Sequence, residues 1–310
     1  MQAKAIQALR VISPFLFIVS AIVFFAGCAS NDEVTSTEQA TYFDAQRALR
    51  VGNWNLAIQK LEYLEENFPF SRYAEQAQLE LIYAYHKAND QELAMAAADR
   101  FIRLHPQHHR VDYAYYMRGV ASFNNETALN SFISTDVTRK DPGGARDAFK
   151  YFAQLINTFP SSPYAADAKQ RMTYVRNVLA RNEIHVANYY FKRGAYLAAA
   201  NRGRYVVESM QQTPAVPDGL AVMAQAYHYL DMPELSENAA KVLVKNFPDH
   251  PAIKDGKFNY QFVGDGKRSW FSYLTFGVFD KNKFAKYDSR RYYNAIYGGE
   301  VSPPPSANHS

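Results

Sequence analysis

Residues 52–69 read GNWNLAIQKLEYLEENFP, and the spacing inside this stretch decides the fold. Ala57, Leu61 and Leu64 stand twelve, eight and five residues before Pro69. Steps of three and four residues put them on one face of a helix. Gly52-Asn53-Trp54 supplies a turn into that helix, and Ala57 leaves room for a paired helix to approach. The proline ends the helix, because it has no N–H to donate and its ring obstructs the preceding turn. The frame returns three times. Ala94, Ala98 and Phe101 precede Leu104-His105-Pro106; Ala148, Phe152 and Leu155 precede Thr158-Phe159-Pro160; Ser236, Ala240 and Leu243 precede Asn246-Phe247-Pro248. A looser copy starts at Gly194-Ala195-Tyr196 with Ala199, and Pro214 is expected to close it three residues late.

This frame resembles the tetratricopeptide repeat, a helix-turn-helix unit of about 34 residues. The expected fold class is all-α: a superhelical solenoid of about five such units over residues 41–248. The closing prolines are 37, 54, 54 and 34 residues apart. The two long steps hold insertions: a polar stretch at 124–144, read as a loop or partly helical excursion, and a long helical stretch from Tyr164 to about Arg193. Repeat units of this kind bury their faces only when stacked, and the stack presents a concave surface that suits peptide segments. A partner-binding scaffold is therefore the leading class.

Ahead of the repeats lies an export signal over residues 1–27. Lys4 and Arg10 form a basic start, Ile12–Ala26 an apolar run, and Phe25-Ala26-Gly27-Cys28 resembles the lipobox cut by signal peptidase II. Cys28 is the chain's single cysteine and the expected lipidation site, carrying diacylglycerol and an N-acyl group. One acyl chain holds a protein marginally, at about 0.8 kcal/mol per buried CH₂, and two or more hold it stably. The alternative is an uncleaved membrane helix, but the apolar run is fifteen residues long, short of the roughly 20 that a spanning helix needs. Ala29-Ser30 follows the cysteine with no aspartate at the second mature position, so the outer membrane is the expected destination. Residues 28–40 would form a lipidated, polar tether.

The net charge is +4, and two of the basic residues but no acidic one fall in the leader. No concentrated basic patch points to nucleic acid. A single, modified cysteine leaves no disulfide, so packing must stabilise the chain. No catalytic constellation is legible, and the chain reads as non-enzymatic with no cofactor beyond the lipid. His105, His108 and His109 cluster beside Pro106 without acidic or thiol companions at ligand spacing, and read as a solvated loop rather than a metal site. Gly264 to Ser269 lacks the loop length and ending of a phosphate-binding loop. Residues 249–297 carry thirteen aromatics, including the apolar stretch Trp270–Phe276, which reads either as packing along the last repeat or as an added docking surface. Residues 298–310, with three consecutive prolines, read as a disordered tail.

Particular phrases go beyond repeat consensus: Phe68-Pro69-Phe70-Ser71-Arg72-Tyr73, Leu81-Ile82-Tyr83-Ala84-Tyr85, Asp99-Arg100-Phe101-Ile102-Arg103-Leu104, Tyr116-Met117-Arg118-Gly119, Tyr189-Tyr190 with Arg193-Gly194-Ala195, and Asn201-Arg202. With the lipobox, they resemble the BamD (YfiO/ComL) family of outer-membrane-protein assembly lipoproteins over roughly 41–248. The resemblance implies a scaffold of the BAM complex. Its partners would be the membrane-proximal POTRA domain of BamA, accessory Bam lipoproteins and unfolded β-barrel precursors. It implies that the carboxy-terminal repeats face BamA, with Arg202 and the neighbouring Arg193 at that interface. It also implies a substrate-signal pocket in the amino-terminal repeats, where Phe68, Phe70, Arg72 and Tyr73 lie. Ser71-Arg72 stands where Gly-Pro is the family expectation, and Phe68 is equally a core position in the repeat frame. The alternative reading is a cell-envelope repeat lipoprotein associated with peptidoglycan or competence.

Overall fold

A computed structural model describes residues 37–128, 137–139, 141–262 and 284–290. The leader, Cys28, most of the tether, the stretch Trp270–Phe276 and the tail 298–310 lie outside these residues. The described helices are α1 (Glu38–Arg50), α2 (Trp54–Asn67), α3 (Ala74–Lys87), α4 (Gln91–Leu104), α5 (Val111–Ala128), α6 (Gly143–Thr158), α7 (Ala165–Arg193), α8 (Tyr196–Ser209), α9 (Val216–Tyr229) and α10 (Pro233–Asn246). They pair in sequence order as five antiparallel hairpins, and each hairpin packs on the next. This is the all-α solenoid that the repeat frame predicts. The first helix starts at Glu38, three residues earlier than position 41, because the Thr37 hydroxyl accepts from the Ala40 N–H at 3.3 Å and caps it.

Every position of the frame is buried in the four regular copies, from Ala57, Leu61 and Leu64 to Ser236, Ala240 and Leu243. Each helix stops two residues before its proline. The residue between, Phe68, His105, Phe159 or Phe247, takes φ near −130°, the extended region favoured ahead of proline. Its N–H donates to the carbonyl four residues back at 2.8–2.9 Å. The looser copy departs from expectation. Helix α8 ends at Ser209, in phase with the others, and Pro214 lies beyond it. Met210 occupies the closing-aromatic position and is buried, Gln212 turns the chain at φ 67°, and Arg176 donates to the orphaned Ser209 carbonyl at 3.3 Å. Packing and capping thus terminate this helix without a proline.

The turns share a second device. Gly52, Asn89, Gly194 and Asp231 each stand five residues before the buried small residue, and each has φ between 55° and 73°. Residues without Cβ, or with a short polar side chain, tolerate this left-handed conformation best. After two of these turns, Asn53 and Asp90 cap the next helix by accepting the N–H of Leu56 and Leu93 at 3.2 Å.

The 124–144 insertion is partly helical. It lengthens α5 to Ala128 and returns through a 3₁₀ turn, Val137–Arg139. That turn docks on α7, where Asn182 Nδ2 donates to the Thr138 carbonyl at 3.0 Å. Helix α7 runs 29 residues and belongs to two cores. Ala168 and Val175 join the apolar cluster of α1–α6, whereas Ala180, Ile184, Ala187 and Phe191 join that of α8–α10. Within the second cluster α8 and α9 nearly touch: a Cβ at Gly203 would lie 2.7 Å from the Gly219 carbonyl oxygen. After α10, the antiparallel strands β1 (Ile253–Lys254) and β2 (Lys257–Phe258) form a hairpin. Its Asp255-Gly256 turn has both φ values positive, as the type I′ form of a two-residue hairpin turn requires. Phe258, Tyr260, Phe262 and Tyr287 pack on the second core, so the described aromatics of the carboxy-terminal region pack along the last repeats.

Candidate partner-binding sites

The amino-terminal corner is built by α1, α3 and the turn between the first two hairpins. Tyr73 enters α3 from that turn and stacks on Tyr42 of α1, with ring centroids 4.5 Å apart. The Arg72 guanidinium lies 4.7 Å from the Tyr73 ring centroid and donates to its hydroxyl. Behind this pair Glu80 accepts from the Tyr42 hydroxyl at 3.1 Å, from Gln46, and from Gln76 at 2.6 Å. Burial first, then the Glu80 charge, pushes the Tyr42 hydroxyl well above the usual tyrosine range. Phe70 projects wholly into solvent, at 101% exposure, while Phe68 is half-buried and meets Tyr63 edge-on. Of the four residues read as one pocket, the structure brings Arg72 and Tyr73 into contact and adds Tyr42. Phe68 turns to its own helix, and Phe70 stands out as a free aromatic.

At the other end, Arg193 closes α7 and is exposed, and Arg202 lies one helix later on α8. Arg202 donates to Glu183 at 2.9 Å, and this hydrogen bond pushes its pKa further up. Glu183 is buried on α7 and also has Arg146 at 3.8 Å. Part of the Arg202 guanidinium is therefore engaged within the chain. Beside it, Leu197, Asn201 and Tyr205 recur every four residues along α8 and form an exposed stripe. Leu197 and Tyr205 are about half exposed, as is Tyr189 on α7. A stripe with two large apolar side chains beside the Arg202 guanidinium is suited to a protein partner with an acidic rim.

Sequence reasoning missed Glu183, Tyr42 and the glutamine ring around Glu80. Their residue types are ordinary on solenoid helices, and only the packing turns them inward. The histidine cluster also differs from a solvated loop. Both His105 and His108 are half-buried, lie 3.3 and 3.5 Å from Glu75, and pack on Phe101. Among the described residues, no group of three or more histidine, cysteine or acidic side chains is placed to hold a metal. No described helix is long and apolar enough to cross a membrane.

A sequence model of the family described as "YfiO: Outer membrane lipoprotein" matches residues 34–243, most of the solenoid. The chain belongs to that family. Curated relatives carry the name outer membrane protein assembly factor BamD. The chain is 43% identical to that of Neisseria meningitidis serogroup B over 77% of this chain and 93% of the relative. It is 35% identical to that of Vibrio cholerae over 73% and 95%, and 34% identical to that of Xylella fastidiosa Temecula1 over 78% and 84%. Membership in the YfiO family gives the non-repeat phrases a setting, and the structure gives them physical roles. In Tyr116-Met117-Arg118-Gly119, Arg118 ties three helices together, donating to Asp99 at 2.7 Å and Gln154 at 2.6 Å, with its guanidinium 4.2 Å from the Tyr151 ring. The Tyr116 hydroxyl donates to Asp167 at 2.6 Å. Gly119 makes room for Phe152, whose ring would lie 2.6 Å from an added Cβ.

Proposed function

We propose that this YfiO-family chain is a non-enzymatic scaffold of outer membrane protein assembly, held at the periplasmic face of the outer membrane by lipid on Cys28. In this reading the α7–α8 hairpin docks the membrane-proximal POTRA domain of BamA. The amino-terminal corner receives unfolded β-barrel precursors, and accessory Bam lipoproteins join the same solenoid. The observation that carries the reading is the match to BamD assembly factors over most of both chains. The geometry supports it at two places. The α8 stripe with Arg202 and Arg193 offers apolar area and directional cations, and guanidinium pairs with carboxylates in a bidentate fashion. The exposed Phe70 beside Arg72 offers a ring and a cation to a chain end that carries an aromatic side chain and a carboxylate.

A mild-detergent pull-down from envelopes, with partners identified by mass spectrometry, tests this reading. Recovery of an Omp85-type barrel, lost with Tyr205→Glu, is the expected result. Tyr205 is the better probe because reversing Arg202 would also strand the buried Glu183. Recovery of wall-linked proteins alone would overturn the reading in favour of a peptidoglycan-associated lipoprotein. A Cys28→Ala chain is expected to leave the membrane fraction.

A further inference from the structure

Residues Phe284–Arg290 form an irregular segment that lies across α7 and α9, outside the part of the chain that the family model matches. The contacts are built. Asn188 of α7 grips the backbone of Tyr287 with both ends of its amide: Nδ2 donates to the Tyr287 carbonyl and Oδ1 accepts the Tyr287 N–H, each at 2.8 Å. Asp218 of α9 accepts the Ser289 N–H at 3.0 Å and its hydroxyl at 2.9 Å. The Tyr287 ring stacks on Phe262, meets Phe191 edge-on, and its hydroxyl donates to Gln225 at 3.2 Å. Asp218 is fully buried and is held independently by Arg181 and by His250 at 3.1 Å.

Two properties of these contacts bear on what the site is for. First, Asn188 and Asp218 address main-chain groups, which any peptide presents, and side-chain selection falls on the alternate buried positions 285, 287 and 289, with Asp288 between the last two 3.8 Å from Arg181. Peptide-reading grooves work in this way, with backbone bonds giving affinity and alternate side chains giving specificity. The reading groups sit on helices, and Asp218 has Arg181 and His250 as partners besides Ser289, while Arg181 also lies 3.8 Å from Asp288 of the segment. Second, the present occupant is an imperfect match. Gln225 uses its oxygen for Tyr287, and its buried Nε2 has no partner among the described residues.

We propose that the second half of the solenoid holds a binding groove for a peptide carrying an aromatic residue two positions before a serine or threonine, and that residues 284–290 fill it in cis as an exchangeable ligand. This groove is separate from the amino-terminal corner and from the α8 stripe, so the proposal stands apart from the assembly reading. A tethered ligand competes at an effective concentration that a free peptide must exceed, so a peptide in trans gains access when the cis segment is weakened.

The test uses a fluorescent peptide of sequence FAKYDSR, residues 284–290, and the full chain in mild detergent. Anisotropy should show at least tenfold tighter binding to a Tyr287→Ala chain than to the unaltered chain. Adding Asn188→Ala to that chain, or placing alanine at the tyrosine of the peptide, should remove the binding. Equal binding to both chains, or binding to neither when circular dichroism shows intact helices, overturns the proposal. Hydrogen exchange on the unaltered chain decides independently of any variant. The Tyr287 and Ser289 amides should exchange at least tenfold faster than the interior of α9, and exchange as slow as that of α9 would make the segment a fixed part of the fold.

Discussion

The most consequential single side chains here are buried and charged. Arg181 and Asp218 are almost wholly removed from water, and each finds its partner on another helix. Removing one partner of a buried pair strands the other, at a cost of about 3–5 kcal/mol. Arg181→Met and Asp218→Asn are therefore each expected to lower stability by that amount in urea unfolding, because either change leaves the other charge buried without its closest partner. Burial alone would raise the Asp218 pKa, but the Arg181 charge, the His250 hydrogen bond and the Ser289 N–H outweigh it and hold the carboxyl well below its ordinary value. A carboxylate with a depressed native pKa stabilises the fold fully above the unfolded value, about 3.9, and loses that contribution as pH falls toward the native one. Stability should thus decline between pH 5 and pH 2 by more in the unaltered chain than in Asp218→Asn, as read from urea midpoints across pH. Close approach makes a comparable demand at Gly119. Gly119→Ala forces a Cβ into the Phe152 ring, and overpacking of this kind costs about 1–3 kcal/mol.

Among the elements, the second helix of each unit was the most legible, because its small residue, its apolar steps and its closing proline recur in one frame. The turns were legible at Gly52 and Gly194, where glycine advertises a left-handed residue. They were hidden at Asn89 and Asp231, where a side chain occupies the same conformation. Asp231→Gly should relieve that conformation and raise stability by up to about 1 kcal/mol, whereas Gly52→Ala should lower it by about 1–2 kcal/mol. Denaturant midpoints of the two variants check both signs. The end of α8 shows the limit of punctuation. Pro214 looked like its stop, yet the buried Met210 and the Arg176 cap end the helix earlier, because tertiary contacts satisfy the last carbonyls. The Asp255-Gly256 hairpin was written in the sequence as an ordinary two-residue turn signal. Its flanking strands are two residues each, too short for an alternating pattern to mark them.

Over the whole molecule, α7 is the structural link between two cores. Its first turns belong to the amino-terminal cluster and its last to the carboxy-terminal one, so an unbroken helix lets the halves unfold together. Asn177 lies between these two sets of contacts. Asn177→Pro removes an interior hydrogen bond and obstructs the preceding turn, at a cost of about 3 kcal/mol or more. The two halves should then open separately, and hydrogen exchange should give distinct opening free energies for α3 and α9 where the unaltered chain gives one. A single shared value in the variant would show that contacts other than α7 couple the cores.

The sequence by itself determined the class of fold, the number of hairpins and the faces they bury. Those depend on local periods: apolar steps of three and four residues, a small residue for close packing, and a proline that no helix interior accommodates. It also carried the family through phrases such as Tyr116-Met117-Arg118-Gly119, although it did not reveal that Arg118 joins three helices. Only the tertiary structure decided which charges are partners. Arg202 with Glu183, Arg181 with Asp218, and Asn188 with the Tyr287 backbone lie 19, 37 and 99 residues apart. No local period encodes such separations. They are selected because a polar group taken out of water in a packed solenoid must find its complement wherever the superhelix brings one within reach.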